Sequence, residues 1–272
     1  MEKIKAAVAE LRTYGLSALT WRAARLMNPR AGGFRRHRSL FQEGKGLEIG
    51  GPSKIFGGLG ELPIYRLAAS VDNCNFSTTT VWEGEIVEGE TFAFHHKRKP
   101  GRQFVAEATA LPQIPSNSYD FVLSSHTIEH TANPLQALRE WRRVLKPEGT
   151  LVLVVPDKNW TFDHRRPVTP LAHLIEDYEN GTKEDDLTHL PEILKLHDLG
   201  RDRRAGSYEA FKARSERNAE NRCLHHHAFD KDSAVAMTEA AGYRVLSAET
   251  RRPHHIIIIA TAGGSEAQGS GC

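Results

Sequence analysis

Cysteine is scarce in this chain: Cys74, Cys223 and Cys272 are the only three among 272 residues. They are widely spaced and odd in number, so neither a C-x-x-C metal site nor a disulfide framework can be assembled from them. A reducing, cytoplasmic compartment is the expectation. Long apolar runs are missing as well. The longest, 256–260, falls far short of the roughly 20 residues a membrane-spanning helix needs and suits a buried strand. The amino-terminal stretch lacks the continuous apolar core of a secretory signal. Net charge is close to zero, +2 from 36 basic and 34 acidic residues. Its distribution is uneven: residues 1–45 hold ten Lys or Arg against three Glu, and the remainder 26 against 31. The densest basic spot, Arg35-Arg36-His37-Arg38, has none of the interleaved aromatics of single-strand nucleic-acid binders. It reads as a solvated helical face, and no nucleic-acid partner is expected. Finally, no G-x-G-x-x-G follows the first strand-like segment, which argues against a dinucleotide oxidoreductase.

What is present is an ordinary globular composition, 39% hydrophobic and 26% charged. A chain of this length can bury about three quarters of its unfolded surface. Apolar residues at near-helical spacing (Ile4, Val8, Leu11, Leu16, Leu19, Leu26) predict an amino-terminal helical segment over 1–43. Strand-like segments follow at 44–50, 69–72, 104–105, 119–124 and 151–155, with a final pair at 244–248 and 254–260. Helical segments are predicted at 63–69, 134–145 and 230–241. In the second, Leu135, Leu138, Trp141, Val144 and Leu145 share one face. In the third, Asp230 or Asp232 caps the start and Gly242 ends it. Residues 73–104 read as polar and irregular. The alternation of strand and helix predicts an α/β domain over 44–262 with a mostly parallel sheet. A charged, His-rich stretch at about 157–224 interrupts it, with helices near 170–179, 187–197 and 207–221. A disordered tail is expected over 263–272.

The most informative stretch is Gly46-Leu47-Glu48-Ile49-Gly50-Gly51-Pro52-Ser53. An apolar strand ends in an acid and a glycine turn, where the backbone can pass close to a ligand. Doubly wound α/β folds seat nucleotide-like cofactors at such strand ends. Glu48 would repel a pyrophosphate but suits a cationic ligand with an amino group, which points to S-adenosylmethionine. A purely local role, capping a neighbouring backbone segment, is the alternative for Glu48.

Tyr119-Asp120-Phe121-Val122-Leu123-Ser124-Ser125-His126, then Ile128-Glu129-His130, Asn133-Pro134 and Leu145-Lys146-Pro147-Glu148-Gly149-Thr150-Leu151, strengthen that reading. Together with the first turn they resemble class I S-adenosylmethionine-dependent methyltransferases of the broad type-11 group. The likeness covers about 44–156 and 225–261. It implies a Rossmann-like, seven-stranded, mostly parallel sheet with an antiparallel strand near the carboxyl end. One departure is plain: the family alternates glycines in its first motif, whereas Gly50 and Gly51 are adjacent and Pro52 follows. The resemblance implies that Glu48, Gly50 and Gly51 face the methionine amino group. Asp72, 22 residues beyond Gly50, would take the ribose hydroxyls, unless it is an ordinary strand-end turn residue. Glu107 and the Ala108 N–H would meet the adenine edge, and Ser125 and His126 would line the methionine end.

Methyl transfer from a sulfonium mainly requires an aligned acceptor. A hydroxyl acceptor also needs its proton removed by a positioned His or carboxylate; a divalent metal such as Mg²⁺ is the less favoured route. The candidate bases are His126, Asp157 and His227. On an extended chain His225 and His227 would share a face. Candidate acceptor contacts are Trp160, Asp163, His164, Thr169, His173, Asp177, Tyr178 and His225, because aromatic planes beside hydroxyl-binding groups suit a saccharide. Residues 156–181 and 224–230 are similar to bacterial sugar O-methyltransferases, in particular those acting on mannose oligosaccharides in mycobacterial methylmannose polysaccharide synthesis. The implied partner is a small-molecule or oligosaccharide acceptor, and a homodimer is an open expectation. The competing reading is a His/Asp metal-dependent hydrolase built around 157–164 and 225–230.

Overall fold

Five consecutive apolar residues, Leu151 to Val155, cannot show one polar face to water, and the fold buries both faces of the strand they form. The computed structural model describes Leu11, Gly15 and residues 17–27, 29–202 and 204–263. The strands of the main sheet are β1 (Lys45–Ile49), β2 (Ser70–Asn75), β5 (Gly89–Phe92), β6 (Gly101–Val105), β7 (Tyr119–Ser125), β8 (Leu145–Pro156), β9 (Arg244–Arg251) and β10 (His255–Thr261). Their order is β5-β6-β2-β1-β7-β8-β10-β9. The five strands from β6 to β8 run parallel, and β10 is antiparallel to both β8 and β9. These seven strands are the α/β Rossmann-like sheet expected from the sequence. The eighth, β5, pairs antiparallel with β6 and covers what would be an open edge. A two-strand hairpin, β3 (Thr79–Thr80) with β4 (Gly84–Glu85), lies in the same connection, so the stretch 73–104 is less irregular than its polarity implied.

One face of the sheet is closed by the helices Pro134–Val144 and Lys231–Ala240, whose Leu138, Trp141, Ala234 and Met237 are fully buried. Asn133 caps the first through the Gln136 N–H, and Asp230 caps the second in a capping box with Ser233. The opposite face is closed without long helices. The predicted helix at 63–69 is only a 3₁₀ turn, Ile64–Arg66, preceded by another at Lys54–Phe56. Pro52 and three glycines within 57–60 leave too little room for a regular helix after the cofactor turn. Phe34 and Phe41, from the segment before β1, fill that face instead. The short helix Gly32–His37 is fastened to β9, where Glu249 accepts the Gly32 and Gly33 N–H groups at 3.1 and 2.6 Å. Arg35, Arg36 and Arg38 stay exposed, as a solvated basic face requires. A further helix, Ser17–Met27, precedes this. The predicted positions Ile4, Val8 and Leu16 and the tail 264–272 lie outside the described residues.

Between β8 and β9 the chain forms the helices Leu171–Asn180, Leu190–Leu196, Tyr208–Ser215 and Asn218–Asn221. Ile193, Ala205, Phe211 and Leu224 make a small core of their own, while Leu174 joins the main one. Buried Arg166 ties this region together: it donates to Asp163, Glu192 and the carbonyls of His225 and His226 at 2.8–3.1 Å.

Candidate active site

The carboxyl ends of β1, β2, β6 and β7 open into one cavity of about 1190 Å³, large enough for a cofactor and an acceptor together. Gly50 forms part of its wall with φ at +83°, and a Cβ there would stand 2.4 Å from Thr127 Oγ1. Thr127 in turn donates to the Ile49 carbonyl at 3.1 Å. A Cβ on Gly51 would lie 2.2 Å from the Glu48 carboxyl carbon. Both glycines are therefore demanded by close approach.

Glu48 has the local role. Its carboxylate lies beneath the turn, fully buried, and accepts the Ser53 N–H at 2.9 Å and the Tyr65 hydroxyl. Burial pushes its pKa up to about 7, against the opposing pull of those bonds. Neither Glu48 nor Gly51 borders the cavity. The Gly51 peptide is pinned from below: Asn73 Oδ1 accepts its N–H and Asn73 Nδ2 donates to its carbonyl, each at 3.1 Å. Asn75 Nδ2 reaches the same carbonyl at 3.3 Å.

Asp72 does not reach the cavity, and here the placement drawn from the sequence is corrected. β2 continues three residues past it, to Asn75. The Asp72 carboxylate accepts the Arg102 N–H and the Tyr119 hydroxyl, both at 2.8 Å, and pairs with Lys45 at 3.2 Å. Asn75 and Phe76 border the cavity at the strand end instead. Glu107 and Ala108 border it after β6, and Ser125 and His126 after β7, as expected. Glu107 is held by Arg222, whose Nη2 lies 2.5 Å from its carboxylate, so the helical insertion reaches the cavity wall beside β6.

At the other end His126 has φ at +55° and projects into the cavity. Its Nε2 lies 2.9 Å from His255 Nδ1, and its Nδ1 lies 3.3 Å from Glu129 Oε1. Glu129 is fully buried, and among the described residues neither of its oxygens has a well-aligned donor. Burial alone would raise its pKa, but the neighbouring His126, His130 and His225 outweigh burial and hold it below the ordinary carboxylate range. An anionic carboxylate at the edge of the cavity is complementary to a cationic donor. His130 is pushed down to about 4, chiefly by burial, and its Nδ1 lies 2.9 Å from the Leu224 carbonyl, a packing role.

Trp160 and His225 border the cavity; the other proposed acceptor contacts do not. Asp163 is buried between Arg166 at 3.1 Å and His225 at 2.6 Å. His164 pairs with Asp198 at 2.9 Å. Thr169 Oγ1 accepts the Ala228 N–H at 3.0 Å, and Tyr178 accepts from Arg139 at 2.9 Å. Asp157 caps the turn after β8 by accepting from Asn159, away from the cavity. His227 does not border the cavity, against the expectation: residues 225–228 form no strand, and His227 is buried facing His173, Asp177 and His189. Phe162, the second aromatic plane expected beside Trp160, borders the cavity too, whereas the sequence reading missed Trp82, Arg201, Arg204, His254 and His255 on its wall. Only His254-His255, adjacent before an apolar run, carried a local signal.

Residues 71–153 match a family described as a methyltransferase domain. An 89-residue stretch is 33% identical to a highly reducing polyketide synthase of Pyrenophora dematioidea, covering 32% of this chain and 4% of that protein. In three dimensions the chain is similar to S-adenosylmethionine-dependent methyltransferases from Mesorhizobium loti (12% identity, TM-score 0.47, covering 85% of this chain and 98% of that one) and Methanosarcina mazei (19%, 0.46, 83% and 96%). The segment that matches the methyltransferase-domain family spans β2 to β8, and the cavity opens at the strand ends around it.

Proposed function

We propose that the protein transfers the methyl group of S-adenosylmethionine to a hydroxyl of a saccharide, a mannoside being the favoured case. Gly50, Asn75, Glu107, Ala108, Ser125 and His126 line the cofactor half. Asn75 takes the ribose position assigned to Asp72 from the sequence. Trp160, Phe162 and Trp82 offer aromatic planes for the C–H faces of a sugar, with Thr161, Arg201 and His225 beside them for hydroxyls.

The observation that carries this reading is the His126–Glu129 pair against His255. With the Nδ1 proton of His126 turned towards the Glu129 carboxylate, 3.3 Å away, the lone pair is on Nε2, directed at His255. An acceptor hydroxyl that displaces that contact gives its proton to Nε2 while its oxygen attacks the sulfonium methyl in line. The buried carboxylate stabilises the resulting imidazolium. The donor, when bound, supplies an already activated methyl group, so the protein's task is alignment and proton removal. The hydrolase alternative gains no support, because Asp163, His164 and Asp157 are engaged by internal partners.

The test is incubation with S-adenosylmethionine labelled in its methyl group and a panel of mannosides, other saccharides, phenols and peptides. Label on a sugar oxygen is the expected result. Transfer confined to nitrogen or carbon acceptors refutes the saccharide reading.

A further inference from the structure

Four side chains remain that the methyl-transfer site does not use. His173 and Asp177 lie one helical turn apart on Leu171–Asn180, His189 precedes Leu190–Leu196, and His227 follows the insertion. One ligand atom from each lies within 4.8 Å of all the others. None of the four borders the large cavity. His173 Nε2 is 2.9 Å from His189 Nε2 and 3.4 Å from Asp177 Oδ2, and His227 Nε2 is 3.7 Å from that same oxygen.

Two of these groups are buried with an atom left over: among the described residues, Asp177 Oδ2 and His227 Nδ1 have no hydrogen-bond partner. A buried lone pair without a donor is costly unless a cation lies beside it. Around a zinc ion, ligands at about 2.0–2.1 Å in a tetrahedron stand about 3.3 Å from one another. The observed separations of 2.9 and 3.4 Å lie on either side of that value; His227 Nε2 donates to the Ala132 carbonyl at 3.2 Å, which leaves Nδ1 as its ligand atom.

Outer contacts aim the ligands. Thr182 Oγ1 donates to Asp177 Oδ1 at 3.0 Å, leaving Oδ2 for the centre. His173 Nδ1 faces the Glu176 carboxylate at 3.8 Å while Nε2 faces inward. Such carboxylate–histidine and hydroxyl–carboxylate supports are typical of metal ligands. We propose that His173, Asp177, His189 and His227 bind one divalent transition metal, zinc by ligand chemistry, and that this closed four-ligand site fastens the helical insertion to the methyltransferase domain. Three imidazoles and one carboxylate disfavour Mg²⁺ and Ca²⁺, which prefer oxygen. With every position taken by protein, the site is structural. It spans three separate segments, so its loss frees the insertion that presents Trp160 and Arg222 to the cavity.

The experiment uses the untagged full chain, stripped with a chelator and titrated with Co²⁺, whose visible absorption reports tetrahedral coordination, then with Zn²⁺ in competition. One equivalent with an intense tetrahedral spectrum is expected. His189→Ala and Asp177→Asn each lose it, with affinity lowered about 100-fold or more, and Thr182→Ala lowers it about 10-fold. S-adenosylhomocysteine binding in these variants certifies the fold. Stripped protein is cleaved faster by protease within 181–222 and regains resistance with zinc. A folded wild-type chain that takes up no cobalt or zinc overturns the proposal. So does one equivalent that survives His189→Ala, which would place the metal elsewhere. If His189→Ala fails to fold, metal removal and restoration on the wild type decides alone.

Discussion

Replacing Glu48 with Gln isolates the cost of keeping a carboxyl beneath the cofactor turn. The side chain is fully buried, and burial raises it from 4.5 to about 7. A folded-state value above the unfolded one means that the native protein holds the proton more tightly. Its stabilising contribution is complete below pH 4.5, declines as pH rises through about 7, and is gone above that. The shift corresponds to roughly 3 kcal/mol between those limits. Gln keeps an acceptor for the Ser53 N–H and loses at most the bond from Tyr65, about 1 kcal/mol. The variant should thus be slightly less stable than wild type at pH 5 and about 2 kcal/mol more stable at pH 8. Groups that titrate in both proteins, Glu184 among them, cancel in the difference. Urea unfolding followed by tryptophan fluorescence, at half-unit steps from pH 5 to 8, measures it. A wild-type-minus-variant difference that is flat across that range refutes the account of Glu48 as a buried carboxyl with a raised value.

Other outcomes follow from the same geometry. His126→Gln should lower methyl transfer about 10²- to 10⁴-fold and leave the calorimetric affinity for S-adenosylhomocysteine nearly unchanged; equal losses in both would make His126 a cofactor residue only. Asn75→Ala should weaken that affinity about 10-fold while Asp72→Asn, remote from the cavity, changes it little, one polar contact being worth about 1 kcal/mol. Asp163→Ala removes the buried carboxylate partner of His225 and one of the two acidic partners of Arg166, and should cost about 3 kcal/mol in chemical unfolding. In the wild type, Asp163 is held down to about 2, where His225 and Arg166 overcome burial. Its contribution is present above the ordinary carboxylate range and should fade as pH falls towards that value. Trp160→Ala should raise the acceptor KM and spare cofactor binding, as initial rates at saturating donor will show.

The residues lining the cavity at the carboxyl ends of β1, β6 and β7 were legible in the chain, because they sit at fixed offsets from strand ends. Gly50, Glu107, Ala108, Ser125 and His126 were placed by local pattern alone. Asp72 failed for a related reason. Its polar neighbours Asn73 and Asn75 hid three more residues of β2, since their side chains bond to one another and to Gly51 rather than to water. Polarity in a sequence marks solvent only when no network is there to satisfy it. The acceptor half was poorly legible. Asp163, His164 and Thr169 have the chemistry of sugar contacts, yet each is engaged within the insertion by a partner 34 to 62 residues away.

Sequence by itself determined the seven strands from β1 to β10 that carry strong apolar runs, the apolar faces of the helices Pro134–Val144 and Lys231–Ala240, and the glycine turn after β1. Those properties depend on neighbours a few positions apart, and chain periodicity records them directly. Tertiary structure alone decided which way Glu48 points, which histidines meet at the cavity, and which meet His173, Asp177 and His189 behind it. His225 and His227 are two residues apart and go to different places, because each is directed by partners brought in from distant segments of the insertion.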